Sequence, residues 1–304
     1  MAVEITIINS EKQMENESMI NFKISKALFI FTGLFFSHLC FADASTIKFF
    51  ANKELQARFP GSFALQKESI SFVEKSLKKT FFDGDQLIAS IQSQSKLKRS
   101  ILDFEKLSRS DKLKTLRSVF KLEVLHSGLH APKLIFDDSA KKATFFDFDP
   151  SLPNSGKVIL NPSMLFARPH PYDALLFLIH ETRHSYQFQL AFGKKVNTQP
   201  EFKNAFRDGF FTQKQWFTQN FRPSFCDFLT LNQEYEAFLF GNYVMETITN
   251  GLVDTSQMGT FASQYEPNIG IKINLFELSQ KVGHENLLDA FNELEKEQYE
   301  SRSP

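Results

Sequence analysis

The chain has 304 residues, room for one medium domain or two small ones, and its 42% hydrophobic content is ample for a core. Lysine plus arginine and aspartate plus glutamate balance at 35 each, so there is no global field to draw in nucleic acid or an acidic surface, and no nucleic-acid partner is expected. The 36 phenylalanines point to an aromatic core in a compositionally biased chain.

The first pattern lies near the N-terminus. Lys23 and Lys26 precede an apolar run over residues 27–36, and Ala42 and Ala44 follow at an A-x-A spacing. A basic start, a short apolar stretch and a small-residue site make a secretory signal, cut after Ala44. The run falls short of the about 20 residues a transmembrane helix needs, so no stable membrane anchor is expected after cleavage. Residues before Met19 belong to no part of this pattern, and Met19 is the expected natural start. The mature chain is therefore expected outside the cytoplasm, periplasmic or extracellular. Cys40 leaves with the leader of residues 1–44, so Cys226 has no partner for an internal disulfide. Near Phe225 and Phe228 it reads as a small buried hydrophobe.

From residue 62 to 128 the chain reads as helical, with residues 45–109 forming an N-terminal region and 110–304 the main domain. Ser110 and Asp111 offer a cap to a helix in which Leu113, Leu116, Val119, Phe120, Leu122 and Leu125 keep helical spacing, and Gly128 stops it. Residues 133–136 and 144–148 then read as strands around a turn at 138–142, and 157–160 as a third strand. Pro171 and Asp173 suit the start of the next helix, and Gly193-Lys194-Lys195 its exit. On that helix Leu176, Phe177, His180, His184 and Phe188 share one face. Residues 194–230 read as a polar and aromatic stretch leading to a helix over 233–249, stopped by Asn250-Gly251, and 273–300 is mainly helical. This order predicts an α+β fold, a small mixed sheet packed on the 180–184 helix with helical N- and C-terminal segments. Residues 158–160 are the expected sheet edge, free to pair with an extended peptide.

Two of the chain's seven histidines stand four apart in His180-Glu181-Thr182-Arg183-His184, an H-E-x-x-H. On a helix that spacing stacks both imidazoles on one face, where they can share a tetrahedral zinc ion while the glutamate reaches a water. A third ligand is needed, and the 233–249 helix carries Glu234-Tyr235-Glu236-Ala237-Phe238. Taken singly, Glu234 and Glu236 each read as an exposed helix acid. H-E-x-x-H followed by E-x-x-A on a later helix, however, resembles the gluzincin-type metallopeptidases. The E-Y-x-A wording is nearest to the membrane-protease and regulatory-peptidase groups.

The resemblance covers these two short motifs. It implies a zincin-like fold and an exported Zn²⁺-dependent metallopeptidase acting on a peptide or protein substrate. His180, His184 and Glu234 would be its metal ligands and Glu181 its general base. Glu234 is favoured because Ala237 follows it by three residues, with Glu236 in the same segment as the alternative. An oxyanion stabiliser is also required, for which Tyr235 and Tyr243 are candidates, with Tyr186 and His170 also available. The chain departs from the pattern in two places. Phe238 stands where those families carry Asp or Asn, and Arg183 puts a cation inside the motif, which opposes Zn²⁺ unless it is paired or turned away. The metzincin extension is absent, since Gln187 and Leu190 stand where it needs Gly and His. Two other functions share these residues: a catalytically inactive zincin-like binding or scaffold protein of the cell envelope, and a hydrolase of cell-wall peptides.

Overall fold

A computed structural model describes residues 49–302 except 169, 195, 197, 220, 252–264, 267–269 and 272. The expected leader, with Met19, Cys40 and the cleavage point after Ala44, lies outside the described residues.

The described residues open with α1 (Lys53–Arg58), the long α2 (Ile70–Gln92), α3 (Ser95–Leu102) and α4 (Arg109–Ser127). The cap of α4 is Ser108, two residues before the expected Ser110; its hydroxyl accepts from the Asp111 N–H. Gly128 ends α4 as expected, at a φ of 63° that glycine adopts without a Cβ clash.

Strands β1 (Lys133–Phe136), β2 (Thr144–Asp147) and β3 (Lys157–Leu160) form a mixed sheet in the order β1-β3-β2. β3 runs parallel to β1, with Leu134 opposite Val158, and antiparallel to β2, with Phe146 opposite Val158. The expectation that 158–160 is an edge is thereby corrected. Both sides of β3 are hydrogen-bonded, and the edges belong to β1 and β2. The run Val158-Ile159-Leu160 lacks the polar alternation of a half-solvated strand, as suits one buried in the middle.

A short α5 (Pro162–Phe166) leads to α6 (Asp173–Phe192), the helix carrying H-E-x-x-H, against which β2 and β3 pack. Next comes α7 (Pro200–Thr218), within the 194–230 stretch that read only as polar and aromatic. Its buried residues Phe202, Ala205, Phe206, Phe210 and Gln213 recur every three or four residues, so the periodicity was present behind the polar composition. The buried Cys226 lies in α8 (Phe225–Leu229), whose Ser224 and Asp227 make a capping box, and then comes α9 (Asn232–Thr249). Asn250, with a left-handed φ of 52°, closes α9 at the expected point. A two-stranded ribbon, β4 (Tyr265–Glu266) and β5 (Gly270–Ile271), precedes α10 (Leu275–Val282) and α11 (Leu287–Arg302). The single expected C-terminal helical segment is divided because Gly283 takes a φ of 84°, which breaks the helical path.

Helix α6 is the axle of the molecule: each residue from Asp173 to Ala191 is buried. Its first half, Leu175 to Ile179, packs into one core cluster with α4, β3 and α9. Its second half, with Tyr186, Phe188 and Leu190, packs into another with α2, α7 and α11. Yet the helix carries His180, Glu181, Thr182, Arg183, His184, Ser185, Gln187 and Gln189 inside the protein. Polar groups buried without partners are costly, and most of these side chains find theirs on α6 itself or on neighbouring segments. Close approach of α6 and α9 is possible because Gly241 faces Leu176; a Cβ there would lie 3.1 Å from the Leu176 side chain.

Candidate metal centre

His180 and His184 stack one turn apart on α6, ring centroids 4.5 Å apart. Glu234, in the first turn of α9, places Oε2 at 3.2 Å from His180 Nε2 and 3.3 Å from His184 Nε2. Ligand atoms of these three buried residues all lie within 4.8 Å of one another, a group that could hold a metal ion. The other carboxylate oxygen, Oε1, accepts from Gln213 Nε2 of α7 at 2.9 Å, which turns Oε2 toward the histidines. Oε2 itself has no hydrogen-bond partner of good geometry among the described residues. A buried, unsatisfied carboxylate oxygen between two imidazole nitrogens suits a small divalent cation with N and O ligands.

Burial drives the Glu234 carboxyl upward, but the two adjacent imidazoles outweigh it and hold the group well below the usual carboxylate range. Burial lowers the His184 imidazole, but Glu234 outweighs this and pushes it up to about 9. Glu181 is buried too; desolvation raises its carboxyl above the ordinary value against the opposing pull of His180 and His184.

Glu236, the alternative ligand, faces elsewhere. Two residues along α9 from Glu234, it points in a different direction round the helix. Arg183 donates to it from Nε at 3.0 and 3.1 Å and from Nη2 at 2.5 Å, and Thr80 of α2 donates at 2.7 Å. Both Glu234 and Glu236 are buried, at 3% and 1% exposure, so neither is the solvated helix acid that each suggests singly. Arg183 is paired and turned away from the histidines: its guanidinium lies 4.3 Å from the Tyr186 ring and 4.3 Å from the Phe240 ring, and also bonds Asp83 at 2.8 Å.

Phe238 packs its ring 4.2 Å from the His180 ring, while His180 Nδ1 has no hydrogen-bond partner among the described residues. His180 is thus oriented by packing. Tyr235 is fully buried in the core cluster with Phe188 and Phe206, and its hydroxyl finds no partner among the described residues. The Tyr243 hydroxyl donates to Asp85 of α2. Nine residues beyond Glu234, Tyr243 stands about 13 Å further along α9 at 1.5 Å per residue. Tyr186 stacks on Arg183 beside a cavity of about 250 Å³ that Lys79, Asp83, Glu123 and Gln189 also line. His170 stands beside Tyr172, just before α6.

Three residues here escaped sequence reading. Gln187 bonds His184 Nδ1 at 2.8 Å. Its position three residues after His184, on the same helix face, was a usable signal. Gln213 and Lys142 left none, since they reach the site only through tertiary packing. Lys142, just before β2, is 4% exposed. Burial pushes its ammonium down to about 7 against the pull of the Glu181 carboxylate.

No family model, no curated protein and no solved structure matches the chain.

Proposed function

We propose that the chain is an exported, zinc-dependent hydrolase of peptide bonds with a zincin-like fold. The observation that carries this is the convergence of His180, His184 and Glu234 from two helices, with ligand atoms within 4.8 Å, on a helix whose next residue is the buried acid Glu181. Two imidazole nitrogens and one carboxylate oxygen form a donor set that suits Zn²⁺ and leaves a fourth position open. A zinc ion held there acidifies water and polarises a carbonyl.

The chain's own residues do the rest. Gln213 aims the Glu234 carboxylate, and Phe238 and Gln187 set the two rings. Glu181 takes the proton from the attacking water and returns it to the leaving amine, a role suited to a carboxyl whose proton affinity burial has raised. The mixed sheet against α6 supports the zincin-like class, with β1 or β2 as the edge that an extended substrate could join. Export rests on the signal pattern of residues 23–44; no described helix is long and apolar enough to cross a membrane.

Metal analysis of the purified mature chain, beside peptide hydrolysis by wild type and Glu181→Gln, tests this. One zinc per chain and hydrolysis lost in the variant are expected. Absence of zinc in the wild type, or full activity in the variant, rejects it. One observation favours a second function, an inactive binding or scaffold protein: the ligand group and Glu181 are 3–8% exposed. Stoichiometric zinc without hydrolysis of peptides or cell-wall cross-links would support that function, and cleavage of cross-links alone would make the chain a cell-wall peptide hydrolase.

A further inference from the structure

We propose that Gln187 is the positioning residue for His184, and that Glu236, held by Arg183, orients Gln187; the part concerning metal rests on the zinc function above. Gln187 Nε2 donates to the Gln233 carbonyl at 2.9 Å and to Glu236 Oε2 at 2.6 Å, while Gln187 Oε1 lies 2.8 Å from His184 Nδ1. A backbone carbonyl and an ionised carboxylate can only accept. Together they dictate which end of the Gln187 amide is nitrogen, a choice that is otherwise open to a flip. With its nitrogen so committed, Gln187 offers the imidazole only an acceptor. His184 must therefore carry a proton on Nδ1. With Nδ1 so committed, Nε2, the atom 3.3 Å from Glu234 Oε2, is the nitrogen left to face a metal.

Glu236 acts here as an acceptor, ringed by donors: Arg183 donates to it at 2.5 to 3.1 Å and the Thr80 hydroxyl at 2.7 Å. Arg183, Glu236, Gln187 and His184 are all buried, so water does not compete and successive bonds reinforce one another. The arginine inside the motif is the anchor of a chain of hydrogen bonds, Arg183 to Glu236 to Gln187 to His184. His180 has no such support, since its Nδ1 is unpartnered among the described residues and its ring rests on Phe238. Partners of this kind on a ligand's second nitrogen are worth about 10–100-fold in metal affinity.

The test uses the full chain and two variants. Gln187→Leu keeps the volume but removes the acceptor. Gln187→Glu keeps an acceptor for Nδ1–H and, when protonated, a donor for Glu236. In metal-free wild type, a slowly exchanging His184 Nδ1–H resonance is expected by NMR, lost in Gln187→Leu and kept in Gln187→Glu. Zinc affinity should fall about 10–100-fold in Gln187→Leu and recover in Gln187→Glu. No such resonance in the wild type overturns the proposal. So does a lowered affinity with the resonance intact, which marks Gln187 as merely structural, or an unchanged affinity. Wild type that binds no zinc rejects the zinc function instead, and the resonance alone then judges whether Gln187 orients the ring. Should Gln187→Leu fail to fold, loss of the resonance in Gln187→Glu overturns the proposal.

Discussion

Arg183 on α6 and Glu236 on α9 form a buried pair with guanidinium–carboxylate contacts of 2.5 to 3.1 Å, and that pair is what lets a cation sit inside H-E-x-x-H. At 4% and 1% exposure neither group can fall back on water, so each depends on the other. Arg183→Met should cost about 3–5 kcal/mol, because Glu236 is left charged and unpaired. Adding Glu236→Leu should restore much of that loss, giving a strongly non-additive double-mutant cycle in denaturant unfolding. Additive effects would mean that the pair is not coupled.

Glu234 and Glu236 are two residues apart on α9 and should behave oppositely. Glu234→Gln removes a charged ligand from the histidine pair and should abolish stoichiometric zinc while leaving the fold intact. Glu236→Gln leaves Arg183 short of one counter-charge and loosens the hold on Gln187, so it should lower stability and weaken zinc binding about 10–100-fold without abolishing it. Metal content and unfolding midpoints of the two variants check this, and a reversed pattern would make Glu236 the ligand.

Glu181 lies beside the ligand group without being counted among its three members. Glu181→Gln should therefore keep its zinc, while peptide hydrolysis drops by about 10²–10⁴-fold, the usual worth of a positioned general base. Zinc loss in this variant would assign Glu181 to the ligand set.

Lys142 supplies a pH signature in the metal-free protein. Burial holds its ammonium at about 7 against an ordinary value of 10.5, so between those pH values the unfolded chain binds more protons than the folded one. Its contribution to stability therefore rises with pH across that window, and the penalty is fully present below about 7. Lys142→Met should be more stable than wild type near pH ~6, with the difference shrinking toward pH ~10. An equal difference at both ends, measured by denaturant unfolding, would mean that Lys142 keeps its ordinary titration when folded.

Much of this molecule could be read along the chain. The stacking of His180 on His184, the stop at Gly128, the three strands and the end of α9 at Asn250 all arise within a few residues. Each depends on helical or strand periodicity, or on a residue that tolerates a left-handed turn, and those properties are local. Even α7 carried its Phe202-Phe206-Phe210 spacing openly.

Other features depended on partners far away in sequence. β3 became the central strand because β1 and β2 flank it. Glu234 rather than Glu236 faces the histidines because Arg183, Thr80 and Gln187 claim the second carboxylate, while Gln213 holds the first. A step of two residues on a helix swings a side chain through about 200°, and motif wording cannot say which direction meets the neighbouring helix. That choice belongs to packing, because a buried charge goes where its counter-charge waits, and only the folded chain brings residues 80, 183, 213 and 234–236 together.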